Sequence, residues 1–260
     1  MPAAAWGWEI TAEELSAWIL DRTPEWLVVN KPGYVVCHPS KHGPWSSLIG
    51  ACRQYLGVAR LHMPFRLDRE TSGVVVLATD PKIGKRMQQA VQNRRVRKRY
   101  LAILHGELRK PFEAEGPIGQ HPDSQIAMRR AVTTGGQDAR TRFIPLAQGG
   151  GYTLVRVEPA TGRLHQIRVH AAHIGHAVAG DKVYGPDEAL YLEFVKRGFT
   201  ERLSAELPFR RQALHCFEAA FLPGRLWPEG LCFRAPVADD MVRFCREAMG
   251  IRWEPGWEED

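Results

Sequence analysis

Two continuous apolar runs stand out in the first hundred residues. Trp26-Leu27-Val28-Val29, stopped by Pro32-Gly33, and Val74-Val75-Val76-Leu77-Ala78 are short and rich in β-branched residues, which predicts two buried strands. Between them Leu48, Ile49, Cys52, Tyr55 and Leu56 recur at helical spacing, behind Ser46 as the candidate cap. Thr11-Ala12-Glu13-Glu14 has the form of a capping box, predicting a short helix to about residue 22. Asp80-Pro81 pairs an N-cap with a proline at the first helical position, and Ile83, Met87, Ala90 and Val91 then face inward. Further strands are predicted over 100–108, 152–157, 214–221 and 231–233. Residues 163–173 read as a helix, with Leu164, Ile167, Ala171 and Ile174 on one side and Gly175 at its stop. A last helix is predicted over 239–249. Residues 111–136 look loop-rich, and Gly149-Gly150-Gly151 reads as a hairpin turn. Strands and helices mix without a steady alternation, so an α+β fold is favoured over a doubly wound sheet.

Composition narrows the class. A chain of 260 residues can bury one sizeable core or two small ones. It holds no run of 18 apolar residues, so no membrane span is expected. Met1-Pro2-Ala3-Ala4-Ala5 lacks the basic region and apolar stretch of a secretory signal. The five cysteines are scattered and form no Cys-x-x-Cys pair, which argues against a disulfide framework or a cysteine zinc site and fits a cytoplasmic protein. The net charge of +6 leans towards polyanions. Its distribution says more, because Arg94-Arg95-Val96-Arg97-Lys98-Arg99 concentrates positive charge directly before Tyr100. The run can be the solvated end of the preceding helix, where cations suit the dipole. It can equally be a cluster for phosphate contacts.

The candidate chemistry centres on Phe65-Arg66-Leu67-Asp68-Arg69-Glu70-Thr71-Ser72-Gly73, which leads into the second apolar run. Guanidinium groups on both sides of Asp68 favour its ionised form and suit it to nucleophilic or base work. A plain turn role for Asp68 fits these nine residues as well, since Asp, Ser and Gly are common turn formers. His165, His170, His173 and His176 invite a metal reading, but no acidic ligand or HExxH motif accompanies them. An Asp68/Glu70 metal-nuclease pair would need an extended chain where a turn is expected.

Arg66-Leu67-Asp68-x-x-Thr71-Ser72-Gly73 resembles the signature of the RluA-type pseudouridine synthases, which isomerise uridine in RNA. Other blocks follow in the family's order: Asn30-Lys31-Pro32-Gly33 with His38-Pro39, Lys98-Arg99-Tyr100-Leu101-Ala102, Gly136 with Ala139-Arg140-Thr141, and Thr161-Gly162-Arg163-Leu164-His165-Gln166-Ile167-Arg168. Gly180-Asp181-x-x-Tyr184-Gly185 and Leu214-His215 complete the set. The resemblance covers about residues 25–236. Phe65 stands where many members have histidine, and Leu164 where threonine is usual.

The resemblance implies a long mixed, mainly antiparallel sheet flanked by helices with a central RNA-binding cleft. Residues 25–260 would form the catalytic domain and 1–24 a short N-terminal extension, too short for the small RNA-binding domain that some members carry. Asp68 would be the catalytic carboxylate, Arg168 its salt-bridge partner, and Tyr100 the aromatic face for the uracil. Arg66 would enter the RNA stack when the base leaves. Lys31, Arg94, Arg95, Arg97, Lys98, Arg163 and His165 are the candidate RNA contacts. The reaction changes no oxidation state and hydrolyses nothing, so it needs no metal or organic cofactor. Ribosomal or transfer RNA is the expected partner, with no membrane, no obligatory protein partner and a monomeric chain. A non-catalytic RNA-binding protein on the same scaffold is the rival reading, and its mark would be loss of the aspartate, the tyrosine or the late arginine.

Overall fold

The computed structural model describes residues 8–39 and 42–258. Met1 to Ala5, read above for a signal, lie outside the described residues. In chain order the elements are α1 (Ala12–Trp18), β1 (Ile19–Arg22), β2 (Trp26–Lys31), α2 (Leu48–Leu56), β3 (Ser72–Ala78), α3 (Pro81–Gln92), β4 (Val96–His105), β5 (Phe112–Glu115), β6 (Ile118–Gln120), β7 (Arg130–Val132), β8 (Arg140–Gly149), β9 (Tyr152–Pro159), α4 (Gln166–His173), α5 (Ala189–Arg197), α6 (Glu201–Glu206), β10 (Leu214–Phe221), β11 (Leu231–Arg234) and α7 (Asp239–Glu247). The result is a mixed α+β protein whose strand pairs are mainly antiparallel, with seven α-helices among the described residues.

The chain divides into two compact units. The first comprises Met1–Lys98 and Cys216–Ala238. Its strands run in the order β1-β2-β3-β10, with β11 also paired to β10. β3 and β10 are buried at every residue; β3 reads as an almost continuous apolar run, whereas β10 buries His215 and Glu218 among its apolar residues. α3 starts as predicted: Asp80 Oδ1 accepts from the N–H groups of Lys82 and Ile83 at 2.8 and 2.9 Å, and Ile83 and Met87 are buried. The capping box of α1 is also present, with Thr11 Oγ1 accepting from Glu14 N and Glu14 reaching back to Thr11 N.

Several boundaries differ from expectation, each for a local reason. α1 ends at Trp18, because Ile19 turns extended and the next residues alternate in burial against β2. Ser47, rather than Ser46, caps α2; Ser46 is taken up in a 3-10 turn behind Pro44. The basic run does not close α3. Arg94 takes a left-handed conformation (φ 55°), and β4 begins at Val96, so the last four residues of the run lie on a strand.

The second unit comprises Arg99–His215 and Asp239–Asp260. Its strands run β4-β9-β8-β5, with β8 and β9 joined by the predicted glycine hairpin. β6 and β7 form a separate two-stranded ribbon. Thus the stretch expected to be loop holds β5, β6 and β7. β8 was not legible because its burial alternates weakly and Pro145 breaks its register at a bulge. α5 and α6 were also missed. Gly198 (φ 73°) stops the first, Thr200 caps the second, and Leu190, Leu203 and Leu207 bury their shared face.

Gly73, at the start of β3, has φ 115°, and a Cβ there would lie 2.1 Å from the carbonyl oxygen of Cys216. Both the conformation and the close approach require glycine. Gly73→Ala is expected to lower stability by at least about 2 kcal/mol, read as a lower urea midpoint at unchanged slope. An unshifted midpoint would mean that β10 does not approach Gly73 this closely.

Candidate active-site residues

In the first unit the segment before Asp68 runs back along β3. His62 and Ala78 exchange backbone hydrogen bonds at 2.9 and 2.8 Å at one end of the strand, and Thr71 leads into Ser72 at the other. The connection therefore spans the length of a seven-residue strand, about 20 Å. Within it Phe65 and Leu67 are buried, Arg66 is exposed and Asp68 is half-buried. This alternation puts Arg66 and Asp68 on the same side of the chain. A turn follows, closed by Thr71 N–H donating to the Asp68 carbonyl at 3.2 Å.

Lys31 holds this turn from below. Its side chain is fully buried at the end of β2, and Nζ donates to the carbonyls of Pro32, Val35 and Arg69 at 2.9, 2.9 and 3.1 Å. The expectation that Lys31 contacts RNA is therefore corrected: a wholly buried ammonium is not offered to a phosphate. Cys37 lies in the same environment. Burial pushes its thiol up, Lys31 opposes that, and so do the Leu67 N–H and Arg66, while Asp68 adds to it.

The basic run is divided. Arg94 and Arg95 are exposed, and the Arg95 guanidinium donates to the Pro223 carbonyl of the β10–β11 connection. Arg97 turns to the side of Glu218, a fully buried carboxylate that it shares with Arg234, at 3.2 and 3.1 Å. Lys98 turns the other way, with Nζ 5.3 Å from the centre of the Phe65 ring. Burial draws its ammonium below the ordinary lysine range, with Cys216 opposing.

In the second unit Tyr100 lies on β4 opposite Val157 and is 6% exposed. α4 begins later than expected, at Gln166, because the residues before it form a hydrogen-bonded turn. Gln166 Oε1 accepts from the Thr161 hydroxyl and Arg163 N–H at 2.6 and 3.0 Å, and its Nε2 donates to Arg140 O and Thr141 Oγ1 at 2.9 Å each. This clasp fixes the Thr-Gly-Arg turn against β8. Arg163 Nε donates to the Asp138 carbonyl at 3.1 Å. Leu164, expected on the apolar side of a helix, is exposed instead. His165 takes a left-handed conformation (φ 57°) at the head of α4.

Arg168 is buried on α4, and Asp181 clamps it bidentately at 2.6 and 2.8 Å. Asp181 also accepts from the N–H groups of Val183 and Tyr184 at 3.0 and 3.1 Å. Its burial alone would raise the carboxyl, but the Arg168 guanidinium and these donors hold it below the usual carboxylate range. Asp181 is the residue that the sequence reading missed as a partner. It lies 13 positions from Arg168, and only its place in the Gly-Asp-x-x-Tyr block pointed to it.

The histidines do not gather round a metal. His165 engages the Tyr184 hydroxyl at 2.8 Å, and His170 engages Thr141 Oγ1 at 2.9 Å and the Gly116 carbonyl at 3.4 Å. No group of three or more potential ligands occurs among the described residues, and no helix among them is long and apolar enough to cross a membrane.

Residues 25–173 match the family model described as RNA pseudouridylate synthase, a span that holds Asp68, Tyr100 and Arg168. The chain belongs to the RNA pseudouridylate synthase family. It is 34% identical over 242 residues to an RNA pseudouridine synthase of Bacillus subtilis, YjbO, covering 91% of this chain and 78% of that protein. It is 36% identical over 222 residues to the ribosomal large subunit pseudouridine synthase D of Xanthomonas campestris pv. campestris, covering 84% of this chain and 65% of the relative. The solved structure titled human RNA Pseudouridylate Synthase Domain Containing 4 superposes with a TM-score of 0.70 at 25% identity, covering 90% of this chain and 94% of the human one. The RNA pseudouridylate synthases are isomerases acting on RNA, and the family assignment bears out both the α+β fold and the expected class of reaction.

In this synthase the Arg168–Asp181 pair has a testable electrostatic signature. Asp181→Asn would leave a buried guanidinium without its counter-charge and is expected to cost about 3–5 kcal/mol at neutral pH. The folded-state pKa of Asp181 is depressed, so its contribution is present above the unfolded value of about 3.9 and is lost as pH falls through the folded value. The difference in unfolding free energy between wild type and Asp181→Asn should therefore be flat from pH 7 down to about 5 and shrink below about 4. A gap independent of pH down to 2 would show that Asp181 does not ionise against Arg168.

Proposed function

We propose that the protein converts specific uridines of ribosomal RNA to pseudouridine, with residues 25–260 as the catalytic domain and 1–24 as an extension carrying the edge strand β1. The observation that carries this reading is the Asp68 turn. It retains the family's aspartate, half-buried, on a turn pinned by the buried Lys31 and flanked by an exposed Arg66. Ribosomal RNA is favoured over transfer RNA by the names of the relatives. The protein would act as a cytoplasmic monomer without a cofactor.

The reaction breaks the N1–C1′ bond, turns the uracil, joins C5 to C1′, and moves a proton from C5 so that N1 ends protonated. The base must leave its stack to be reached. Asp68 supplies the anion that acts on the nucleotide, and Arg66 fills the vacated stack. Tyr100 offers a π-face to the uracil, worth about 1–3 kcal/mol per stacked base. Its phenol is also placed in chemistry to assist the late proton transfer. Arg168, clamped by Asp181, is the arginine of the family's late Gln-Ile-Arg block. Lys98, Arg163 and His165 add contacts along the RNA, and Arg94 and Arg95 reach its phosphates. Arg97 is assigned a weaker share, since Glu218 already engages it.

Asp68→Asn should abolish pseudouridine formation and leave RNA binding within a few-fold, because the amide matches the shape but is neither anion nor base. Mapping pseudouridines in ribosomal and transfer RNA from cells with and without the gene identifies the substrate, and purified Asp68→Asn is then assayed on it. Product formed by the mutant at wild-type rate would reject Asp68; loss of modification only in transfer RNA would reject the ribosomal assignment. Tyr100→Phe keeps the ring and Tyr100→Ala removes it. A proton-transfer role predicts normal binding and a late block in Phe, whereas a stacking role alone predicts a near-normal Phe and a poor Ala.

Arg94→Gln with Arg95→Gln should weaken binding to all RNA sequences alike. It should also flatten the dependence of log affinity on log salt by roughly 0.7 per phosphate contact removed. Arg97 is left in place because its loss would strip a cation from buried Glu218. An unchanged salt slope in the folded double variant would return these arginines to simple solvation.

A further inference from the structure

We propose that Tyr184 is a positioning residue with two separable tasks: its ring seats the Arg168 guanidinium, and its hydroxyl fixes His165 as an Nε2–H donor for the RNA. The proposal rests on the reading of Arg168 and His165 given above. Tyr184 is 4% exposed and packs in an apolar cluster with Ile118 and Ile126 of the β6–β7 ribbon and Val169 of α4. The Arg168 guanidinium carbon lies 4.9 Å from the centre of its ring. The same short turn therefore brings two groups to Arg168, the carboxylate of Asp181 at the edge and the ring of Tyr184 at the face. The bidentate carboxylate sets the guanidinium's in-plane geometry, and the ring adds a contact that holds it in place.

The hydroxyl does different work. The backbone N–H of Arg130, on β7, donates to it at 2.9 Å, and the Nδ1 of His165 lies 2.8 Å away. A phenol has one proton to give and can accept as well. The amide can only donate, and the phenol oxygen that accepts it can still give its own proton to Nδ1 of a neutral His165. In that arrangement, which is the one proposed, the imidazole carries its own proton on Nε2 as a donor. His165 itself holds a left-handed backbone conformation that a non-glycine residue adopts at a cost, directly ahead of the helix that carries Arg168. One phenol thus ties the ribbon, the head of α4 and the guanidinium together.

The test uses two variants and one measurement that needs no substrate. Nitrogen-15 chemical shifts of His165 in the full-length protein report its tautomer; the expected result is Nε2–H in wild type and loss of that bias in Tyr184→Phe. Phe retains the ring beneath Arg168 and lacks the hydroxyl. It should weaken RNA binding roughly fivefold. Its single-turnover rate at saturating RNA should stay within about threefold of wild type. Tyr184→Leu removes both features and should lower that rate at least about thirtyfold. Nδ1–H in the wild type overturns the hydroxyl's task. A Phe variant as slow as Leu, or a folded Leu variant as fast as wild type, overturns the ring's task. Should Leu not fold, Tyr184→Trp, which keeps a π-face and lacks the hydroxyl, takes its place and must retain the rate. If the protein isomerises no uridine at all, the functional reading fails, while the tautomer measurement still decides the link between Tyr184 and His165.

Discussion

The Asp68 turn depends on a buried ammonium. Lys31 sits at the end of β2 with no exposure, and its donors are spent on three carbonyls, one of them in the turn itself. Burying a cation is expensive unless it is hydrogen-bonded. What the arrangement supplies in return is geometry: the carbonyls must converge on one nitrogen, so the Pro-Gly bend after β2 and the Asp68 turn are fixed against each other. Gly73 adds the second constraint, since the chain enters β3 in a conformation and at a distance from Cys216 that a side chain would not permit. A half-buried carboxylate is thereby carried by a short segment anchored on both sides.

The second unit repeats the device with opposite chemistry. Arg168 is buried, bidentately paired, and its partner Asp181 is saturated by two further N–H groups. Such a pair is weak evidence for stability, because desolvation offsets much of the attraction. Its value lies in orientation, as a planar fork against a planar carboxylate has one good geometry. Gln166 does the same for the turn ahead of α4, meeting Thr161, the Arg163 amide, Arg140 and Thr141 from a single side-chain amide. Residues of the Thr-Gly-Arg-x-His-Gln-Ile-Arg block are therefore held by one another, which explains why the block has the spacing it has.

Much of this was legible in the sequence, and the exceptions are physical. β3 and β10 were visible because both faces are buried and apolar residues dominate each, although β10 also carries His215 and Glu218. α3 was visible because Asp80-Pro81 states its start and Ile83 and Met87 its inner face. β8 was not, since its pattern is neither continuous nor cleanly alternating and Pro145 sits inside it. The candidate residues divide in the same way. Asp68, Tyr100 and Arg168 were reached through blocks of several residues, whose joint occurrence carries information. Lys31 was misread as an RNA contact because a lysine's burial is decided by carbonyls 4 and 38 positions away. Asp181 was passed over for a similar reason, being bound to its arginine by a contact that no local pattern records.

The basic run shows how a strand sorts charges that a sequence leaves together. Alternation along β4 sends Arg97 to Glu218 and Lys98 to Phe65, on opposite sides of the strand. One side becomes an Arg-Glu-Arg group across β4, β10 and β11, in which a buried carboxylate cancels part of the charge that it gathers. The other side carries a single desolvated ammonium next to the residue that precedes Arg66-Leu67-Asp68. Arg94 and Arg95, ahead of the strand, are exposed, and Arg97 is exposed as well but tied to Glu218. The six-residue block therefore divides into three parts. Arg94 and Arg95 lie ahead of the strand, Arg97 ties the sheet through Glu218, and Lys98 packs on Phe65; their proximity in sequence reflects the start of β4 rather than one continuous patch.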